Sequence, residues 1–439
     1  MSAELSIQLV SHASVLITTG DTTIWTDPWL FGKAFNDSWS LYPAQTYQAP
    51  FLDRVQYLWI SHEHPDHFHI PTLRSLPSEF KQRVRLLFQK NNSDKMFSAL
   101  RKLGFERLDV LPHRRPVELE PGVTVYCYQV GQMDSMLGVR YGSHTVLNIN
   151  DAEINTIDCK RILGDFGECD ILLNQFSLAG YGGFADREAY LPKAAARILQ
   201  KMAANHRDLG AKVTIPFASF IYFSSPDNRY INAYANTPQK VYQYFEQQGL
   251  KVALLYPGDL FRTGQEIHNE SALERFSSTT PDFGNLRYDT APSVPLEAIR
   301  AQFEQLCDVL RERYTSFFLR LLRPFQVYIP DLGTTMRFSL ANRSMEESHG
   351  PPDLEINSQP LSFGFSSPFG FQTLGVSGRY ILYKNFRNWR NHRILFALNN
   401  AEIYLRPKYF FRGRNLTWIA ERLPGAINQL SHRLRSMGS

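Results

Sequence analysis

Four potential metal ligands fall within six residues of this chain: His62, His64, Asp66 and His67, inside the run Ser61 to His69. They follow Tyr57-Leu-Trp-Ile60, a short apolar run that reads as a buried strand. Residues two apart on an extended segment point the same way, so His62 and His64 can grip one ion together. Pro65 then turns the chain, and Asp66 and His67 can face a neighbouring position. Imidazole and carboxylate donors suit zinc, iron or manganese, and the absence of thiolate argues against a closed structural zinc site. A histidine-rich surface loop is the plain alternative, and the strand-to-loop context weighs against it. His69 and Glu63 are expected to support the loop or face solvent rather than to ligate.

The elements that must position this loop come from a chain of 439 residues, long enough for two domains with substantial cores. Hydrophobic content of 43% and charged content of 20% are those of an ordinary globular protein and exclude a disordered one. Cys127, Cys159, Cys169 and Cys307 are scattered without Cys-x-x-Cys spacing, which fits a reducing compartment and no disulfide framework. None begins a Cys-x-His pair, so a Rieske-type cluster is not expected on the chain. The start carries Glu4 and no basic run, so no signal peptide is expected. No apolar run approaches the roughly eighteen residues that span a bilayer. A cytoplasmic protein without a transmembrane segment is the expectation. The net charge of +5 is uneven: Arg379 to Arg435 holds twelve basic residues against Glu402 and Glu421, a local +10 that leaves the rest near −5.

Residues 5 to 27 read as paired strands turning at Thr19-Gly-Asp21. Beyond the histidine loop, a short helix is expected over 71–76 and a strand over 83–88. Asn92-Ser93 should cap a helix through Leu103, with a strand over 107–111. Strands follow over 123–130, 136–141 and 145–149, the last ending in Asn148-Ile-Asn-Asp151. A strand over 170–175 opens into the glycine-rich segment 176–184, of a kind that commonly covers an active site. Then come a helix over 188–205, a strand over 212–216, a helix over 237–248 and a last strand over 251–256. Residues 265–292 are polar and read as a linker. A periodic helix spans 294–323, followed by strands at 325–329, 334–340, 353–356 and 361–363. The basic, aromatic stretch with Tyr380, Phe386, Trp389, Tyr409, Phe410, Phe411 and Trp418 closes the chain.

His-x-His-x-Asp-His after a strand resembles the signature of the metallo-β-lactamase fold. That resemblance implies an α/β protein: an αββα sandwich over 1–264 with one or two metals at the sheet edge, then the 265–292 linker and a smaller α+β domain over 293–439. It also implies that Asp151, at a strand end past the loop, bridges the metals. Alone, Asp151 would read as a helix or turn cap; beside the histidine loop the ligand reading gains. The expected ligand set is therefore His62, His64, Asp66, His67 and Asp151, with Asp66 and Asp151 as the candidate catalytic groups. Asp27, in Thr26-Asp-Pro-Trp-Leu30, is expected to lie beneath the metals and orient their ligands. His12 is similarly placed in related sequences, and a hydrogen-bonded strand histidine accounts for it equally well.

Several patches are similar to one branch, the CMP-N-acetylneuraminate hydroxylases: Thr26 to Leu30 with Gly32-Lys-Ala-Phe35, Ile60 to His67 with Pro71-Thr-Leu73, Leu147 to Asp151, and Ile215 to Ser219 running to Ser225-Pro-Asp-Asn-Arg-Tyr230. Weaker similarity reaches Glu402-Ile-Tyr-Leu405. Those hydroxylases use iron, dioxygen and reductase-supplied electrons, with a Rieske domain on the same chain. Here the electrons would need a separate reductase or a Rieske or ferredoxin donor. Two usual histidines are also missing. Near 128–134, Gln132 or Asp134 stands in for one; after the 212–216 strand, Ser225 stands where the other is sought. Their loss weakens the hydrolase reading and fits a carboxylate-richer site, which favours iron.

An iron-dependent hydroxylase is thus the expected function, with one or two irons; zinc or manganese would serve the alternative, a hydrolase of a phosphoester, amide or lactone. The basic tail suits an anionic small molecule, nucleotide-sugar or lipid-like, or an acidic reductase, and is equally a solvated basic face. Nucleic acid is the least expected partner.

Overall fold

The computed structural model describes residues 4–44, 50–90, 94–131, 133–180, 183, 186–383 and 387–409. The expected cap Asn92-Ser93, Gln132, and Tyr181, Gly182 and Phe184 of the glycine-rich segment lie outside them. So do Lys384, Phe386 and the tail from Phe410 onward, with Phe411, Trp418 and the arginines to Arg435. The chain divides into two compact units, 1–181 with 186–289, and 182–185 with 290–439.

The first unit is built on two large sheets, with a small third one of Ile221–Phe223, Trp39–Leu41 and Lys33–Ala34 beside them. One runs, in spatial order, Leu260–Arg262, Leu5–Leu9, Val15–Thr19, Thr22–Thr26, Tyr57–Ile60, Arg85–Gln89 and Arg107–Leu111. The other runs Val213–Phe217, Ile171–Gln175, His144–Asn150, Asp134–Tyr141, Val123–Val130 and Pro116–Glu120. Strand alternation sends successive side chains to opposite faces and so defines three apolar layers. Tyr57 and Trp59 point into the space between the sheets with Ile7, Ile17, Val125, Val139, Val146 and Leu173. Leu58 and Ile60 point the other way, onto Leu73 and Phe80 of the helices Ile70–Ser75 and Ser78–Arg83. On the second sheet Leu147 and Ile149 face outward onto Cys159, Ile162 and Phe166 of the helix Thr156–Phe166. Helix, sheet, sheet, helix is the αββα layering of the metallo-β-lactamase fold.

Four strands of the first sheet, from Thr22–Thr26 to Arg107–Leu111, are parallel. Their buried-on-both-faces composition explains why Tyr57 to Ile60 is apolar without a break. The carboxyl ends of Thr22–Thr26 and Tyr57–Ile60 deliver Asp27 and the histidine loop to one edge. In the second sheet, Asp134 begins a strand in register with Val130, and Asn150 ends the next one.

Four expectations need correcting. Residues 265–292 are not a bare linker: they contain the helix Glu270–Thr279, whose Ala272 and Phe276 enter the inter-sheet core. Its polar majority is the solvent face of an amphipathic helix, easily mistaken for a loop. The long helix breaks into Leu296–Arg313 and Ser316–Leu321, because the Thr315 hydroxyl accepts from the Phe318 N–H and starts a new helix. Residues 361–363 lie in the helix Ser358–Ser366 rather than a strand. Residues 251–256 contribute a single bridge, Val252 to Thr214, and it is Leu260–Arg262 that pairs with the first strand.

The second unit has a five-stranded sheet, ordered Ser344–Glu347, Thr334–Ser339, Phe325–Ile329, Leu354–Glu355 and Ile381–Leu382. Its core gathers Phe303, Phe325, Phe338, Phe365, Phe371 and Trp389. Among the described residues, no helix is long and apolar enough to cross a membrane.

Candidate metal centre

The histidine loop leaves the strand Tyr57–Ile60 and is pinned at once. The Ser61 N–H and hydroxyl donate to the two Asp27 carboxylate oxygens, both at 2.7 Å. Ser61 O accepts in turn from Gln89 Nε2 at 3.1 Å and from the Ser135 hydroxyl at 2.6 Å. At the far end His69 Nδ1 lies 2.8 Å from Thr72 Oγ1 and caps the helix Ile70–Ser75, with Nε2 facing Lys33 O at 3.3 Å. His69 therefore closes the loop.

Between those anchors the expected residues converge. His62 Nε2 and His64 Nδ1 are 2.8 Å apart. Asp134 Oδ1 approaches His62 Nε2 to 3.9 Å, and one donor atom from each of His62, His64 and Asp134 falls within 4.8 Å of the others. His67 Nε2 lies 3.4 Å from Asp66 Oδ2 and 3.5 Å from Asp151 Oδ1, while Asp151 Oδ2 is 3.8 Å from His62 Nε2. Asp151 thus offers one oxygen to each half of the cluster. The backbone bends sharply to achieve this: Asp27 and Asn150 both have positive φ, 36° and 39°. Asp and Asn tolerate that region better than other side-chain-bearing residues.

His67 has its ring oriented from behind. Its Nδ1 lies 2.8 Å from Asp27 Oδ2, so Nε2 faces the cluster. Asp27 is fully buried, and burial pushes its carboxyl up against the opposing pull of His67. Burial holds His62 well below its ordinary value, and His64 below it as well. Burial acts the same way on His67, but Asp66, Asp151 and Asp27 surround it and raise it well above the usual imidazole value. Asp66 is the mirror image: burial would raise it, and His67 and His12 hold it well below the carboxylate range. Burial and the Asp151 charge push Asp134 up to about 7.

These residues fit a cation. Asp66 Oδ1, His67 Nε2 and Asp151 Oδ1 are buried and have no hydrogen-bond partner, a state that costs roughly 1–3 kcal/mol per group unless a ligand completes it. The carboxylates that draw a proton onto His67 would equally draw an ion, which displaces that proton on binding. Of the stand-ins for the missing histidines, Asp134 joins the cluster. Ser225 is engaged in its own turn, its hydroxyl accepting from the Asp227 N–H at 3.4 Å. Ser61, Gln89 and Ser135, which hold the loop, carry no sequence signal: a serine or glutamine at a strand end is ordinary.

The family model described as a β-lactamase superfamily domain matches residues 6–158. A cytidine monophosphate-N-acetylneuraminic acid hydroxylase of Danio rerio is 25% identical over 321 residues, 65% of this chain and 50% of the relative. The chain spans about half the length of the curated relatives it matches. Among solved structures, the diiron β-hydroxylase CmlA of Streptomyces venezuelae aligns with a TM-score of 0.42 at 17% identity, covering 60% of this chain and 54% of that one. Igni18, a metallo hydrolase of Ignicoccus hospitalis, aligns at 0.44 and 14% identity, covering 60% and 100%. The histidine loop, Asp134 and Asp151 all fall inside the matched segment, so that the part of the chain carrying the cluster is the part that matches the β-lactamase superfamily domain, in a chain similar to the CMP-N-acetylneuraminic acid hydroxylases.

Proposed function

We propose that this chain is an iron-dependent oxygenase of the hydroxylase type, acting on an anionic small molecule. His62, His64 and Asp134 would hold one ion, Asp66 and His67 a second, and Asp151 would be shared. The observation that carries this reading is the donor balance. Three carboxylates, Asp66, Asp134 and Asp151, join the histidines in one cluster without a thiolate, a mixed carboxylate and imidazole set that suits iron. The 25% identity to a protein named as a hydroxylase supports the same class. Iron, when bound, supplies the reduction of dioxygen with electrons from a separate reductase or a Rieske or ferredoxin donor.

The chain's own residues shape and dry the site. Asp27 keeps His67 Nε2 facing inward, and Ser61 couples that carboxylate to the loop backbone. His12, His62 and His67 side chains are fully buried and Asp66 nearly so, whereas Asp134 is 31% exposed and Asp151 17%. Substrate would meet the cluster on the Asp134 side, where a nucleotide-sugar or lipid-like anion can approach without displacing the buried wall.

A second reading, metal-dependent hydrolysis, draws on the split carboxylate. Asp151 faces both halves through different oxygens, as a two-ion site for displacement chemistry also requires. The experiment is metal analysis of protein grown with iron and zinc together, then oxygen uptake by the reduced protein with a CMP-sugar as probe. One or two irons per chain with substrate-dependent oxygen uptake supports the proposal. Stoichiometric zinc that iron does not displace, with anaerobic turnover of a phosphodiester probe, moves the assignment to hydrolysis. A chain that binds neither metal overturns both.

A further inference from the structure

The second half of the cluster is short of donors. Asp66 and His67 are its own, and Asp151 is shared, so three protein groups face an ion that commonly takes four or more. The strand Val213–Phe217 leads to no histidine, and the Ser225 hydroxyl beyond it accepts from the Asp227 N–H in its own turn.

One further imidazole stands at this spot. His12 sits in the turn between Leu5–Leu9 and Val15–Thr19, fully buried, held by its backbone carbonyl accepting from the Ala218 N–H at 2.8 Å. Its ring packs against Trp29 and Trp39 with centroids 5.5 and 6.5 Å away. Its Nε2 lies 3.1 Å from Asp66 Oδ2, the oxygen that is also 3.4 Å from His67 Nε2. Donors bound to one ion at about 2.0–2.2 Å stand roughly 3.0–3.5 Å apart in tetrahedral or octahedral arrangements, and both separations match. The three donor atoms of His12, Asp66 and His67 all fall within 4.8 Å of one another.

A simple hydrogen bond from His12 to Asp66 accounts for less. It leaves His67 Nε2, buried at the same spot, without a partner. Asp66 Oδ1 also stays unpaired. An imidazole turned toward a carboxylate with a free oxygen, beside a second imidazole nitrogen that lacks a partner, is accounted for by a cation among them.

Resting on the metal reading above, we propose that His12 is a protein ligand of the second ion, completing the set Asp66, His67 and Asp151 from the opposite side of the sheet edge. The first ion keeps His62, His64, Asp134 and the other oxygen of Asp151. The chain would then bind its two ions through four histidines.

The test counts histidines rather than turnover. The full chain, freed of metal and loaded with cobalt(II), is examined by proton NMR for shifted, solvent-exchangeable ring N–H signals, one per bound histidine. Four signals are expected, with one lost in His12→Gln. Glutamine keeps an amide donor for Asp66 but is a poor ligand, so the cobalt titration of this variant should show the second equivalent weakened by about 100-fold or more. Three signals in the unaltered chain overturn the assignment, and so does a His12→Gln chain that takes up both equivalents as before. Should His12→Gln fail to fold, the signal count in the unaltered chain still decides. Binding of only one equivalent with two or three signals overturns the proposal while leaving a metal centre in place; no cobalt binding at all overturns the metal reading itself.

Discussion

Replacing Asp27 by asparagine tests the claim that the loop is set from behind. Asp27 receives the Ser61 N–H and hydroxyl at 2.7 Å each and faces His67 Nδ1 at 2.8 Å, all in a fully buried setting. Asparagine has nearly the same shape and tolerates the φ of 36°, so the turn survives. It offers one acceptor where the carboxylate offers two. If its oxygen keeps the Ser61 N–H, its amide group meets His67 Nδ1 donor to donor. The imidazole must then move its proton to Nε2, the nitrogen that faces the cluster, or rotate away. Loss of one hydrogen bond to a charged group is worth about 1.5–3 kcal/mol, and loss of such an orienting partner typically weakens metal binding by about 10–100-fold. The two estimates agree. The assay is a competitive chelator titration of Asp27→Asn beside the unaltered chain, with circular dichroism to confirm folding. A folded variant that binds its second ion with undiminished affinity would refute the orienting role of Asp27.

Three further outcomes are expected. Asp134→Ala should lose the first equivalent of metal while keeping the second, because Asp134 approaches His62 but not His67; loss of both equivalents, or of neither, in a metal titration contradicts the assignment. Gly138→Ala should destabilise the first unit by about 1–3 kcal/mol, since an added Cβ would lie 2.7 Å from Phe166 Cε2; an unchanged midpoint in chemical denaturation refutes it. His392 is buried in the second unit, and burial depresses it to about 4 from an ordinary 6.5. The unfolded chain therefore binds the extra proton first, and stability falls as pH drops from 6.5 to 4, by at most about 3 kcal/mol, then levels off. Urea melts across that window should show the loss, and His392→Phe should flatten it.

The sheet edge was legible because the chemistry is written as spacing. His62 and His64 follow an apolar strand whose two-residue period puts them on one side, and Asp151 ends another strand. Asp134 and His12 were visible only as candidates. Their roles depend on register between distant segments, such as Asp134 opposite Val130 and the Ala218 N–H on His12, and single-chain periodicity carries no such information. The helix Glu270–Thr279 was missed for the opposite reason: only Ala272 and Phe276 are buried on it, too few apolar positions to raise a helical period above a polar background.

The exposure of the cluster runs in one direction, and that gradient constrains how any reaction can be arranged. His12 packs against Trp29 and Trp39, His67 is fully buried and Asp66 barely open, while Asp134 and Asp151 border solvent. A molecule arriving from outside would meet the Asp134 half first, since His12 is fully buried. The sealed half is also where the carboxylates draw His67 far toward its charged form, so its demand for positive charge is met by a proton or an ion and not by substrate. Loading of the buried position should therefore release protons and depend steeply on pH, whereas the open position, with Asp134 at about 7, is where the proposed reaction would make its substrate contact. A hydroxylase and a hydrolase would share this division, and they would differ in which ion fills the two halves.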